Sequence, residues 1–258
     1  MQWTNIPVGN YSFHTLEGGE GDLLVYLHGF EGHPGEAPFL EELAKKYRVV
    51  APELIGYGNS TGFDHIEDFL DYTLAIRQFV EQAGGQANVL GHSLGGMFAA
   101  ELGAIAPQVV QKLLLVAPFG LWLDDKPIPD PFVLNGTELT QLTFHDANVA
   151  ETVTPARNGA DEGDQITATV TRTSNLAIAG KFLWPIPDRG LRKRLPYVKA
   201  KTLVLTGNSD KLIAPAYGQA FADLIPGAEA MTVENAGHYP MLEQPEAFVR
   251  NAEAFFGG

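Results

Sequence analysis

Three side chains in this sequence have the types and the chain order that acyl transfer requires. Ser93 lies in Gly91-His92-Ser93-Leu94-Gly95, a G-x-S-x-G pattern that Gly96 extends. A serine hydroxyl attacks a carbonyl only when a base takes its proton, and histidine is the base suited to neutral pH. His238, in Glu234-Asn235-Ala236-Gly237-His238-Tyr239-Pro240, is the candidate base. A carboxylate must then hold the imidazole tautomer and stabilise the imidazolium. Asp210, in Gly207-Asn208-Ser209-Asp210, is the candidate, with Asp124 and Asp125 as rivals. The negative oxygen that develops during attack needs two N–H donors. The backbone N–H of Leu94, beside the nucleophile, supplies one. The backbone N–H of Phe30, in His28-Gly29-Phe30, supplies the other, with Gly29 permitting a sharp turn.

These residues are useful only if the chain brings them together. The G-x-S-x-G pattern exposes its serine where a strand enters and a helix leaves. Ala87–Leu90 is a strand running into Gly91, and residues 94–106 form a small-residue helix followed by Pro107. Phe30 follows the strand Leu23–Leu27, Asp210 follows Thr202–Thr206, and His238 follows the last strand, Ala230–Val233. Each candidate therefore falls at the C-terminal edge of a strand, where open α/β sheets bind ligands. Tyr47–Ala51 and Val110–Ala117 complete the set. All six runs are continuously apolar, as expected of strands buried on both faces.

Helical patterns alternate with the strands. Phe39, Leu40 and Leu43 mark a short helix. Ile66, Phe69, Leu70, Thr73 and Leu74 keep a 3-4 spacing, which predicts a helix over roughly residues 64–83, stopped by Gly84-Gly85. Pro215–Leu224 and Pro245–Phe256 each begin at a proline, which suits a first helical turn. This alternation predicts an α/β fold with a mostly parallel sheet flanked by helices. Gly9, Gly18, Gly19 and Gly21 read as turn glycines of an opening hairpin, not a phosphate loop, because no G-x-G-x-x-G opens a helix there.

Residues 119–198 break the rhythm. They hold seven prolines, among them Pro127, Pro155 and Pro187, and no clear buried strand. Ile166, Val170, Ala177 and Ile178 suggest one helix, although Thr167, Thr169, Thr171 and Thr173 are poor helix formers. The apolar content is too high for a linker, so the segment reads as an insertion between two core strands. Its apolar residues include Phe119, Leu121, Trp122, Phe132, Phe182 and Trp184.

Composition narrows the function further. The chain has 258 residues, 17 Lys and Arg against 31 Asp and Glu, a formal charge of −14, and no cysteine. Thiol nucleophiles, disulfide scaffolds and cysteine-held metals are excluded. A chain so acidic is not expected to bind nucleic acid or an anionic membrane surface. The apolar run Leu113–Gly120 is far too short to span a bilayer, and Met1–Val8 does not read as a secretory signal, so a cytoplasmic location is expected. His33 and His145 bring no defined third ligand, so no metal is expected. His92 and His28 read as structural, His28 bracing the turn that carries Phe30.

His28-Gly29-Phe30, Gly56-Tyr57-Gly58-Asn59-Ser60, Gly91 to Gly96, Gly207 to Asp210 and Gly237-His238 together resemble the α/β-hydrolase superfamily over essentially the full length. The resemblance implies an eight-stranded core sheet and a helical lid, here residues 119–198, with residues 1–118 and 199–258 forming the core. The nucleophile falls on Ser93, which sets the chain apart from the branches that use aspartate. The expected activity is hydrolysis of a small carboxylic ester without a cofactor. The same triad would also serve lactone hydrolysis, C–C cleavage of a vinylogous diketone, or cofactor-free perhydrolysis, and a non-hydrolytic receptor is the alternative from another class. An anionic diketone would want a cation near Ser93, for which Arg172, Lys181, Arg189, Arg192, Lys193 and Arg194 are the candidates. Monomer and homodimer are both compatible with the pattern.

Overall fold

The computed structural model describes residues 1–153, 162–185 and 188–257. Its centre is an eight-stranded sheet: β1 (Gln2–Val8), β2 (Tyr11–Gly18), β3 (Leu23–Leu27), β4 (Arg48–Pro52), β5 (Ala87–His92), β6 (Val110–Val116), β7 (Lys201–Gly207) and β8 (Glu229–Val233). The spatial order is β1-β2-β4-β3-β5-β6-β7-β8. β1 and β2 form the opening hairpin, β2 runs antiparallel to β4, and every other pair is parallel. The chain order reverses at β3, which lies between β4 and β5. A crevice opens at such a reversal, and the Phe30 and Ser93 turns leave its two sides.

Both faces of the sheet are covered. Along β3, Val25 and Leu27 pack into one apolar cluster, while Leu24 and Tyr26 pack into the other. This is the two-sided burial that a continuously apolar strand implies. One layer holds α1 (Pro38–Leu43), α9 (Pro240–Glu243) and α10 (Pro245–Gly257). The other holds α2 (Phe69–Ala83), α3 (Leu94–Ile105), α6 (Glu162–Leu183) and α8 (Ala216–Leu224).

Three sequence expectations need correction. β8 is a strand, but Glu229 to Thr232 are exposed and only Val233 is buried. It is an edge strand, hydrogen-bonded to β7 alone, so its solvent face need not be apolar. The helix expected over residues 64–83 begins at Phe69, because Asp68 caps it by accepting from the N–H groups of Leu70 and Asp71. Residues 63–65 form a separate 3₁₀ turn.

The third correction concerns the insertion. Between β6 and β7 the chain forms α4 (Gly136–Thr143), α5 (Ala147–Val153), α6 and α7 (Leu191–Arg194). α6 is helical despite its threonines, whose hydroxyls bond back to carbonyls four residues earlier, as Thr167 does to Gly163 and Thr173 to Thr169. Its buried face is Asn175, Ile178, Ala179, Phe182 and Leu183, a 3-4 spacing. Of the four residues that suggest the helix, Ile178 is on this face, whereas Ile166, Val170 and Ala177 are exposed. Pro155 and Pro187 lie outside the described residues.

Close backbone packing ties the sheet to α3. A Cβ on Gly95 would lie 2.2 Å from the Leu27 carbonyl oxygen and 2.4 Å from that of His28. Neither oxygen can yield without disturbing β3. Gly95→Ala is expected to cost at least about 1–3 kcal/mol of stability, whereas Gly136→Ala, with nothing within 4 Å, stays within about 1 kcal/mol of wild type. Urea unfolding of the two variants checks this difference.

Candidate active site

β5 delivers Ser93 into the crevice on a strained turn. Ser93 has φ 57° and ψ −116°, a conformation that costs a non-glycine residue on the order of 1–3 kcal/mol. It persists because the surroundings fix it. The Ser93 N–H donates to the Val116 carbonyl at 2.8 Å, and its own carbonyl accepts from Met97 and Phe119 at 3.1 and 3.2 Å. Gly91 leaves room for the turn, since a Cβ there would meet the Gly95 carbonyl oxygen at 2.5 Å.

His238 reaches Ser93 from the loop after β8, and Asp210 reaches His238 from the loop after β7. His238 Nδ1 and Asp210 Oδ2 are 2.8 Å apart. Asp210 accepts only, so Nδ1 carries the proton. Nε2 is then the acceptor and takes the Ser93 hydroxyl at 2.8 Å. The other Asp210 oxygen accepts from the N–H groups of Leu212 and Ile213 at 2.9 and 2.8 Å. All three residues are buried, Ser93 and His238 at 0% exposure and Asp210 at 3%. Asp124 and Asp125 are exposed, and Asp124 bonds to the Trp122 indole, so neither rival meets His238.

The two loops lock together. The Ser209 N–H donates to the Ala236 carbonyl, and a Cβ on Gly207 would sit 2.1 Å from the Gly237 oxygen. The His238 N–H donates to the Thr143 carbonyl at 2.6 Å, anchoring His238 to the end of α4. Glu243 accepts from the Gly237 N–H at 2.6 Å and from the His145 N–H at 2.7 Å. Burial pushes the Glu243 carboxyl up, against the opposing effect of these N–H bonds.

The turn after β3 carries Phe30. His28 donates from Nδ1 to the Gly29 carbonyl and accepts at Nε2 from the Leu54 N–H. Its own carbonyl accepts from the Gly95 N–H, so one residue ties this turn to β4 and α3. No backbone carbonyl among the described residues accepts from the N–H of Phe30 or of Leu94. The rings of Phe30 and Phe119 lie 6.4 and 6.3 Å from that of His238.

Phe119 and His92 contribute more than their sequence reading suggested. Ala117, at φ 42°, turns the chain after β6 so that Phe119 closes on Ser93; an alanine in that conformation leaves no compositional signal. His92 does not merely support the turn. Its Nε2 donates to the His238 carbonyl at 2.8 Å, so it braces the backbone of His238.

The remaining polar groups lie elsewhere. A cavity of about 20 Å³ is lined by Met97, Glu101, Gly120, Phe182 and Leu191 among others. It lies a turn along α3 and does not reach Ser93. Arg194 pairs with buried Glu101 through two 2.6 Å bonds. Arg172 donates to the Leu134 carbonyl, Lys181 to that of Ile66, Arg189 to that of Lys181 and Arg192 to that of Trp122, and Lys193 is exposed. His33 packs against Trp3 and His28, whereas His145 bonds to Ser209. Among the described residues no group of three or more His, Cys, Asp or Glu could hold a metal, and no helix is long and apolar enough to cross a membrane.

The parallel sheet, the serine on its strand–helix turn and the flanking helices are those of an α/β hydrolase. The chain belongs to the Alpha/beta hydrolase family, whose profile matches residues 24–251. It is 32% identical over 235 residues to the pimeloyl-[acyl-carrier protein] methyl ester esterase of Xanthomonas oryzae pv. oryzae, spanning 87% of this chain and 90% of that enzyme. It is 24% identical to Lipase 3 of a Moraxella species, over 92% of this chain and 78% of the lipase. Its fold is similar to that of naproxen esterase from Bacillus subtilis, with a TM-score of 0.77, 20% identity, and coverage of 99% of this chain and 91% of the esterase.

Three histidines with lowered pKa values make acid stability predictable. Burial lowers the His28 pKa to about 4, against the raising effect of its bond to Gly29. Burial and the nearby His238 hold His92 well below the ordinary histidine value, against the raising effect of its bond to the His238 carbonyl. Burial, with His28 and His14 nearby, also lowers the His33 pKa to about 3 against the raising effect of its bond to the Ala51 backbone, so all three are neutral in the fold and take up protons on unfolding below about pH 6.5. Stability is therefore expected to fall as pH drops from about 6.5 toward 4, by roughly 1.4 kcal/mol per pH unit for each fully displaced histidine. The raised Glu243 carboxyl works in the opposite direction. Urea unfolding at pH 7, 6 and 5 reads the slope.

Proposed function

We propose that this protein is a serine hydrolase of small carboxylic esters. The observation that carries the reading is the pair of 2.8 Å hydrogen bonds from Ser93 to His238 and from His238 to Asp210. His238 takes the Ser93 proton as Oγ bonds to the ester carbonyl carbon, and the carbonyl oxygen becomes an oxyanion. The N–H groups of Phe30 and Leu94 receive that oxyanion. His238 then gives its proton to the leaving alkoxide, and the acyl group remains on Ser93. Water, deprotonated by the same His238, releases the acid and restores the serine. Asp210 stays ionised throughout and stabilises the imidazolium.

Residues 119–198 act as a lid in this account, with residues 1–118 and 199–258 as the core it closes. Ser93 and His238 are wholly buried, so a substrate enters only when the covering side chains move. Among the similar proteins, those named esterase and lipase support an ester, and those named meta-cleavage product hydrolase support the diketone alternative. The side-chain contacts favour an ester over an anionic diketone. Five of the six basic residues considered for holding such an anion are engaged away from Ser93, and the sixth, Lys193, is exposed.

A panel of aryl esters from acetyl to palmitoyl tests the reading. Turnover is expected on the wild type, with Ser93→Ala lowering kcat by about 10⁶ and Asp210→Asn by about 10⁴. Unchanged turnover in Ser93→Ala would refute it.

A further inference from the structure

The turn that presents the Phe30 N–H is hydrogen-bonded from α6, a helix that contributes nothing to the Ser93–His238–Asp210 line. Asn175 lies on the buried face of α6, beside Ile178, Ala179 and Phe182, and is itself buried. Its side-chain N–H donates to the Glu31 carbonyl at 2.6 Å. A carbonyl only accepts, so the amide orientation is fixed.

That contact continues through the backbone. The Glu31 carbonyl and the Gly32 N–H belong to one peptide group. The Gly32 N–H donates to the Gly29 carbonyl at 3.1 Å. The Gly29 carbonyl in turn shares its peptide group with the Phe30 N–H. Asn175, the Glu31–Gly32 peptide and the Gly29–Phe30 peptide thus form a head-to-tail row of amides that ends on the proposed oxyanion donor. Each hydrogen bond in such a row polarises the next in a low-dielectric interior.

The turn leaves little freedom for another arrangement. Gly32 adopts φ +115°, and a Cβ there would lie 2.9 Å from Asn175 Nδ2. The Tyr57 hydroxyl lies 3.2 Å from the Phe30 carbonyl and 3.4 Å from the Asn175 carbonyl, in reach of both. The Glu31 carboxylate accepts from the hydroxyl of Tyr239, the neighbour of His238.

We propose that Asn175 is a positioning residue that orients and polarises the Phe30 N–H through these two peptide groups, so that the oxyanion site is complete only while α6 is seated on the turn. The inference rests on the serine-hydrolase reading. Its effect falls on the tetrahedral state, where the oxygen carries charge, and not on the neutral bound ester.

The test compares an alkyl trifluoromethyl ketone with the matching methyl ketone as inhibitors of wild type, Asn175→Leu and Asn175→Asp, and as ligands of Ser93→Ala by titration calorimetry. Ser93 Oγ bonds to the activated carbonyl carbon, His238 takes the hydroxyl proton, and the ketone oxygen becomes the oxyanion. The ratio of the two inhibition constants within one variant does not depend on how much of the sample is folded. Removing an oxyanion donor outright costs about 10²–10³ in rate, and Asn175 acts two hydrogen bonds further back. In both Asn175 variants the preference for the trifluoromethyl ketone is expected to fall about 10-fold or more, with kcat falling in parallel and KM within about twofold of wild type. A wild-type preference retained in both Asn175 variants would overturn the inference and leave the hydrolase reading standing. A wild-type enzyme with no Ser93-dependent preference would overturn both.

Discussion

Ser93 holds a backbone conformation, φ 57° and ψ −116°, that a serine does not adopt unaided, and the neighbouring elements are arranged around it. β6 accepts its N–H through Val116, and α3 and the Phe119 turn donate to its carbonyl. Gly91 and Gly95 are the positions where any Cβ would collide with backbone. The strain is local, and the restraint comes from the Val116–Phe119 stretch and the first turn of α3. This arrangement presents Oγ to His238 without a search through rotamers and backbone states, the kind of preorganisation that lowers the entropic cost of reaction.

The same economy governs His238. His238 is held by its side chain between Ser93 and Asp210, by its N–H on Thr143, and by its carbonyl from His92. Burial makes each bond stronger than it would be in water and makes a missing one expensive. The chain carries a formal charge of −14, but the carboxylate that bonds to His238 is the one belonging to Asp210. The second oxygen of Asp210 accepts from two backbone N–H groups, which satisfies a carboxylate buried at 3% exposure.

Much of this was legible in the sequence, and for a definite reason. Phe30, Ser93, Asp210 and His238 each follow a strand, and a parallel sheet brings all strand C-termini to one edge. The order of motifs along the chain therefore carried three-dimensional information. What was not legible depends on contacts between segments far apart in sequence. Phe119 reaches Ser93 through an alanine at positive φ, and Asn175 meets Glu31 across 144 residues. The buried stripe of α6 was read only in part because threonine content and exposed Ile166 and Val170 obscured the residues that pack. β8 looked like a core strand because apolar content does not reveal which strand is last in the sheet.

The central claim is that Ser93 is a nucleophile activated by His238, and active-site labelling addresses it without any assumption about substrate. A fluorophosphonate incubated with the wild type, His238→Gln and Ser93→Ala, followed by peptide mass mapping, reads where the phosphorus–oxygen bond forms. The account predicts one adduct, on Ser93, strongly slowed in His238→Gln and absent in Ser93→Ala. Labelling of another residue at the wild-type rate, or equally rapid labelling of Ser93 in His238→Gln, would contradict it.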